Sequence, residues 1–330
     1  MKKDIYIFND GELKRKDNTL YFQSADTKKY IPVEETDSIW VYGEIDINKR
    51  LLEFISQKEI CIHFFNYYGY YVGTFYPREH LNSGYVILKQ AEHYLDYEKR
   101  LNIAREIIDA AVSNILVILK YYRSRGIDVD EAIIDIENKQ SSLADVKEID
   151  ELMAQEGNIR ERYYQCFSKI IKNDDFNFVK RSRRPPKDKI NALISFGNSI
   201  MYTTVLSEIY QTQLDPRIGY LHSTNDRRFT LNLDISEIFK PIIVDRVIFS
   251  LINKNVITAN DFKKDLNGTM LSENGMKKFI QEYNEKLYTT INHAKLKNAV
   301  SYKRLIRMEL YKLQKHITEG NEYKGFIARW

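Results

Sequence analysis

The sequence predicts an α+β protein: a small N-terminal β-rich domain at 1–76, a linker at 77–84 and a larger all-α C-terminal domain at 85–330. Three observations carry that expectation. Apolar and polar residues alternate with period two over the first ~75 residues, the pattern of half-buried strands. Pro77, Asn82, Ser83 and Gly84 then break the pattern. Beyond them apolar residues recur at helical spacing with little interruption. A length of 330 residues also fits about two domains, each able to bury a core.

The elements follow in order. Strands are expected at 4–8, 12–16, 19–23, 29–33, 38–42, 59–66 and 70–75, with Asn9-Asp10-Gly11 and Asp17-Asn18 supplying hairpin turns. One helix begins near Asn48 and buries Leu51, Leu52, Phe54 and Ile55. After the linker, helices fit 85–123 (stopped at Gly126), 128–138 and 141–171, the last opening on Ser-Ser-Leu-Ala-Asp. A polar, basic loop at 172–187 follows, and further helices fit 188–212, 235–253, 272–288 and 297–319. No internal repeat or low-complexity tract interrupts them.

Composition narrows the function. Hydrophobic content of 43% beside 29% charged residues argues for an ordered globular protein. Two cysteines, Cys61 and Cys166, exclude a disulfide framework or a cysteine-based zinc site. The apolar stretch 107–119 is interrupted by Asp109, Ser113 and Asn114 and is too short to span a membrane. The N-terminus alternates like a strand and carries no apolar signal core, so a cytoplasmic location without membrane contact is expected. The formal charge of +4 hides two basic regions, 160–230 and 290–330, each net +6, leaving −8 on the rest. A solvated face or a surface for a polyanion would each produce that distribution.

No Gly-rich phosphate loop, nucleophile elbow or His-Glu-x-x-His helix is present. Three polar segments instead interrupt the helical pattern: 155–157, 214–222 and 231–237. In a helix Asp234 and Glu237 are three residues apart, so both carboxylates leave one face, a face flanked by apolar residues. Two adjacent acids repel unless a proton or cation lies between them, which suits Mg²⁺ or Mn²⁺; a first-turn pair favourable to the helix dipole is the plainer reading. Pro241 cannot donate to the carbonyl of 237, so the helix bends or restarts there. His222 is either a structural hydrogen bonder or a ligand that tilts the site toward Mn²⁺. Glu156 precedes a helical Gly157, either by chance or because open space beside it admits a ligand.

Taken together these segments resemble the CRISPR adaptation integrase, the "Cas one" endonuclease family, along nearly the whole chain. The matching segments are Gly11-Glu12-Leu13 with Asn18-Thr19-Leu20, the hairpin Gly69–Phe75, Glu156-Gly157 with Tyr163, and Arg183-Arg184-Pro185-Pro186 with Asp188 and Asn191-Ala192. Asp215-Pro216 with Gly219 and Leu221-His222 follows, then Thr230-Leu231, Leu233-Asp234, Glu237, Phe239-Lys240-Pro241 and Asp245. The family usually has Arg where Lys240 stands, and small residues where Ile159 and Arg160 stand.

The resemblance implies a metal-dependent DNA endonuclease and strand transferase that inserts captured DNA fragments into a CRISPR array. Glu156, His222 and Glu237 match the family's metal ligands, with Asp234 beside them as a further or adjacent carboxylate. Mg²⁺ or Mn²⁺ is the implied cofactor. Water attacking the phosphodiester gives hydrolysis, and a 3′-hydroxyl gives integration. Arg181, Arg183, Arg184, Lys187, Lys240, Arg304 and Arg307 are the expected contacts to double-stranded DNA. The resemblance further implies a homodimer through the β domain and a small CRISPR partner, "Cas two". A free-standing nuclease acting on branched DNA, or a non-catalytic DNA-binding scaffold, would share much of this sequence.

Overall fold

The computed structural model describes residues 2–77, 81, 83–183, 185–224, 229–265, 268–293 and 298–329. The chain divides into two compact units, Met1–Asn82 and Ser83–Trp330. In the first unit the alternating segments form strands β1 (Lys3–Ile7), β2 (Gly11–Lys16), β3 (Thr19–Gln23), β4 (Lys28–Ile31), β5 (Thr36–Val41) and β6 (Ile45–Ile47). Helix α1 (Lys49–Gln57) and strands β7 (Cys61–Phe65) and β8 (Tyr71–Phe75) complete it. One sheet has the order β1-β5-β7-β8, parallel except for the β7–β8 hairpin; the other has the order β4-β3-β2-β6. The Asn48 side chain caps α1 by accepting the Leu51 N–H at 3.0 Å. Leu51, Phe54 and Ile55 then join Leu13, Leu20, Ile39 and Ile62 in a core drawn from both sheets. Each such side chain contributes about 1.5–3 kcal/mol when fully buried.

The second unit is mainly helical. Its elements run α2 (Gly84–Leu95), α3 (Tyr97–Arg123), α4 (Asp130–Ser141), α5 (Ile149–Gln165), α6 (Phe167–Ile170) and α7 (Lys189–Tyr210). Then come α8 (Leu231–Phe239), a π turn at Pro241–Asp245, α9 (Arg246–Asn253), α10 (Glu273–Tyr288) and α11 (Tyr302–Glu319). Two short antiparallel ribbons join them, β9 (Phe262–Asp265) with β10 (Gly268–Leu271) and β11 (Thr290–His293) with β12 (Asn298–Ser301). The domain is therefore not all-α. No helix among the described residues is long and apolar enough to cross a membrane.

Several boundaries differ from those the sequence suggests, each for a local reason. The expected helix 85–123 is two, because Asp96 adopts an extended conformation and its carboxylate caps α3 through the Lys99 N–H at 3.1 Å. Ser83, expected in the linker, caps α2, while residues 78–80 and 82 lie outside those described. The expected helix 141–171 contains a 3₁₀ turn, then α5 and the short α6. Helix α8 starts at Leu231 rather than at 235. At Pro241 the chain neither stops nor restarts: it widens into the π turn, in which the Asp245 N–H reaches the Lys240 carbonyl at 3.0 Å.

Candidate active site

Helix α5 supplies the first part of the site. Glu156 and Arg160 are one turn apart, and the guanidinium Nε donates to Glu156 Oε1 at 2.6 Å. Gly157 beside them faces open space: a Cβ built there would meet nothing within 4 Å. The other guanidinium edge crosses to α8, where Arg160 Nη2 donates to Glu237 Oε2 at 2.5 Å. Arg160 is thus a single planar cation held between carboxylates of two helices.

Helix α8 and the π turn supply the second part. Lys240 sits one turn after Glu237, donates to its Oε1, and lies 4.6 Å from the centre of the Tyr202 ring. Both oxygens of Glu237 therefore meet a cation. Asp245, at the end of the π turn, is buried; its Oδ2 makes no well-aligned hydrogen bond, although the Tyr163 hydroxyl faces it.

The loop before α8 supplies the imidazole. Gln90 of α2 grips the backbone of Asp215, accepting its N–H at 2.7 Å and donating to its carbonyl at 3.2 Å. Arg100 of α3 donates to the Tyr220 carbonyl at 2.9 Å. The Thr230 hydroxyl donates to the Arg217 carbonyl at 2.8 Å and accepts the Gly219 N–H at 2.9 Å. Asp234 Oδ2 accepts the N–H groups of Tyr220 at 2.5 Å and Leu221 at 3.0 Å, and Oδ1 accepts that of His222 at 3.0 Å. The His222 Nδ1 lies 2.8 Å from the same Oδ1.

Electrostatics follow from this packing. Burial would raise the Glu237 carboxyl, but Lys240 and Arg160, with a smaller effect of His222, hold it well below the usual carboxylate range. Burial works against the imidazolium of His222, yet the hydrogen bond and charge of Asp234, aided by Glu237, raise its pKa above the ordinary 6.5. Burial pushes Asp245 up to about 7 even though Arg160 opposes the shift.

Of the residues the sequence singles out, Glu156 and Glu237 meet at one guanidinium, and His222 lies close enough for its charge to act on Glu237. Among the described residues, no three His, Cys, Asp or Glu side chains form a ready-made cage for an ion. The donor chemistry nevertheless fits a hard divalent cation: two carboxylates are already gathered on positive charge, and Asp234 holds Nδ1 of the imidazole and leaves Nε2 to other partners. Asp234 itself is fully buried, with both oxygens occupied by the N–H groups of residues 220–222 and Oδ1 also against the His222 ring.

The expected DNA contacts divide. Arg183, Lys187 and Arg304 are exposed, and Arg184 lies outside the described residues. Arg181 is turned inward, with Nη1 on Asn191 Oδ1 at 2.8 Å and Nη2 on Ser195 Oγ at 3.0 Å. Arg307 pairs with the buried Glu208 at 2.6 Å, and Lys240 is buried on Glu237. These three are engaged in intramolecular pairing with polar groups of the fold rather than presented at the surface. In the sequence Arg160 stands out only as a departure from the family's usual small residue, and its bridging role is missed; its four-residue spacing from Glu156 is the available signal. Nothing in the sequence pointed to Tyr202.

A β-rich unit followed by a helical unit that gathers two carboxylates, an imidazole and two cations defines the class of protein to which the comparisons then give a family. The model of the family described as CRISPR associated protein Cas1 matches residues 5–285. A CRISPR-associated endonuclease Cas1 from Thermodesulfovibrio yellowstonii is 59% identical over 330 residues, all of both chains. A Cas1 protein structure from Thermotoga maritima superposes with a TM-score of 0.88 at 48% identity, covering 99% of this chain and 100% of that one. A casposase bound to integration product shares the fold, with a TM-score of 0.88 at 22% identity over 98% of this chain and 92% of that one. The chain belongs to the Cas1 family.

Proposed function

We propose that this chain is a divalent-metal-dependent DNA endonuclease and integrase, which joins captured DNA fragments to a CRISPR array through attack of a 3′-hydroxyl on a phosphodiester. The observation that carries the reading is the meeting of Glu156 and Glu237, 81 positions apart, on one buried cation, with His222 held beside them by Asp234. The endonuclease names of its relatives and the integration product held by a casposase of the same fold support it.

Glu156, Glu237 and His222 would hold Mg²⁺ or Mn²⁺, which when bound supplies Lewis-acid charge at the phosphate and favours deprotonation of the attacking oxygen. Asp234 fixes the ring orientation of His222 through Nδ1, so that Nε2 would be the nitrogen that holds the ion. Lys240 keeps one positive charge on Glu237 within the site, where it would help to offset the negative charge that grows on the phosphorus. The identity of the bound hydroxyl decides between cutting and joining, since positioning alone is worth about 7–11 kcal/mol of barrier. Two joints on opposite strands require two sites, so the reading includes a homodimer through the β-rich unit, the small partner Cas2, double-stranded DNA as substrate and a cytoplasmic setting.

The test is a joining assay with processed DNA fragments, supercoiled target, Mn²⁺ and the small partner. Glu156→Ala is expected to abolish joining while fragment binding stays near the wild-type level. Joining retained by a clean preparation of that variant would reject the reading.

A further inference from the structure

We propose that Arg160 is a displaceable internal cation: it holds Glu156 and Glu237 together in the ion-free protein and must leave them for a divalent ion to bind, so that it sets the metal affinity of the site. The inference rests on the metal-dependent reading above and concerns a residue of this chain that the metal-ligand set does not contain.

The argument starts from occupancy. Arg160 Nε takes Glu156 Oε1 at 2.6 Å and Nη2 takes Glu237 Oε2 at 2.5 Å, and Lys240 takes the remaining Glu237 oxygen. A hard divalent ion that bridges the two carboxylates at about 2.0–2.2 Å from their oxygens would occupy the space the guanidinium now fills. Most basic side chains could yield by losing a proton, but a guanidinium remains charged at any pH a protein survives. Arg160 therefore has to swing away.

Its environment fits that movement. The side chain is 10% exposed, and Nη1 has no hydrogen-bond partner. A buried guanidinium with an unused donor edge is incompletely satisfied. Burial alone would disfavour its charge, and Glu237 and Glu156 together outweigh that cost. Without Arg160, Lys240 and, more weakly, His222 would be left to balance Glu156, Glu237 and the nearby Asp245 in the ion-free state. Such repulsion is relieved by binding an ion, so its loss shifts the balance toward metal.

Mn²⁺ binding to the full-length protein, followed by electron paramagnetic resonance of the free ion, reads this directly, alongside thermal melting in chelator and in Mn²⁺. Arg160→Gln is expected to bind Mn²⁺ about tenfold more tightly than wild type, the worth of one charge-assisted contact. It should also melt lower in chelator and gain more from Mn²⁺. Arg160→Lys, which reaches one carboxylate at a time, should fall between. Mn²⁺ affinity in a folded Arg160→Gln at or below the wild-type value overturns the proposal. If Arg160→Gln does not fold in chelator, Arg160→Lys decides: affinity above wild type supports the proposal, and equal or weaker affinity overturns it. Glu156→Gln separates this outcome from the site assignment. If wild type and Glu156→Gln bind Mn²⁺ equally, the metal site itself is misplaced; if Glu156→Gln alone loses binding, the site stands whatever Arg160 does.

Discussion

His222 Nδ1 lies 2.8 Å from Oδ1 of Asp234, and the same carboxylate accepts the N–H groups of residues 220, 221 and 222. One side chain on α8 therefore folds the loop around itself and aims the imidazole. A backbone nest of this kind fixes the loop in place, and the charge behind the ring makes its far nitrogen more basic.

Asp234→Asn keeps the shape but removes the charge. Metal-dependent cutting and joining are expected to fall about 10–100-fold, the usual effect of losing the group behind a metal-bound histidine. The His222 pKa should drop in the same variant, because Asp234 is what raises it against burial. Its C2 proton shift as a function of pH, followed by NMR in chelator, checks this. An unmoved titration would remove Asp234 from the site.

Asp245 gives the ion-free protein a pH dependence with a definite sign. Its folded pKa of about 7 exceeds the ordinary 3.8 because burial favours the neutral acid. The folded state then binds more protons than the unfolded state, so stability is greatest below about pH 4 for this group and falls as pH rises toward 7. Asp245→Asn should flatten that part of the melting-temperature profile and raise the melting temperature at pH 8. His222 contributes a loss of the same sign as pH climbs through its own raised pKa, and the variant leaves that part intact.

Gly219 is needed for a close approach, not for an unusual backbone angle. A Cβ there would lie 2.8 Å from Asp234 Oδ2 and 2.8 Å from the Thr230 carbonyl carbon. Neither can retreat, since the carboxylate is pinned by the loop and Thr230 opens α8. Gly219→Ala should cost about 1–3 kcal/mol of stability, as overpacking does, and lower activity by displacing His222. Chemical denaturation beside the joining assay measures both; wild-type values in each would show the loop to be slack.

How much of this was legible in the sequence depended on how local the cause was. Strands β2 and β3 and helix α1 were readable because turn residues and the Asn48 cap act within a few positions. Strand β6 was missed because its three residues owe their conformation to parallel pairing with β2, not to their own pattern. Asn114 looked like a polar interruption of an apolar run. It is fully buried, donating to the carbonyls of Ile238 and Phe326 at 2.9 Å each and accepting the Ala328 N–H at 2.8 Å, so its meaning lies some 120 and 210 positions away. Residues of the site were found one by one as oddities of helical pattern. The guanidinium that joins two of them was not, because a single arginine four residues after a glutamate also describes an ordinary solvated pair.

The basic loop offers the sharpest separation of surface from scaffold. Arg183 and Lys187 are exposed, whereas Arg181 ties the loop to the first turns of α7 through Asn191 and Ser195. Asn191 is itself fixed by the Asp188 cap, whose Oδ1 accepts its N–H at 2.7 Å. If the loop lies on the DNA path, Arg183→Ala with Lys187→Ala removes two phosphate contacts and should flatten the plot of log affinity against log salt by about two. Melting temperature should barely move, since exposed charges contribute little to stability. Arg181→Ala should do the reverse, lowering the melting temperature and weakening binding without the slope change, because it loosens the loop and removes no phosphate partner. Fluorescence anisotropy with duplex DNA from 50 to 300 mM salt, paired with thermal melts, distinguishes the two patterns; an unchanged slope in the double variant would take this loop off the DNA path.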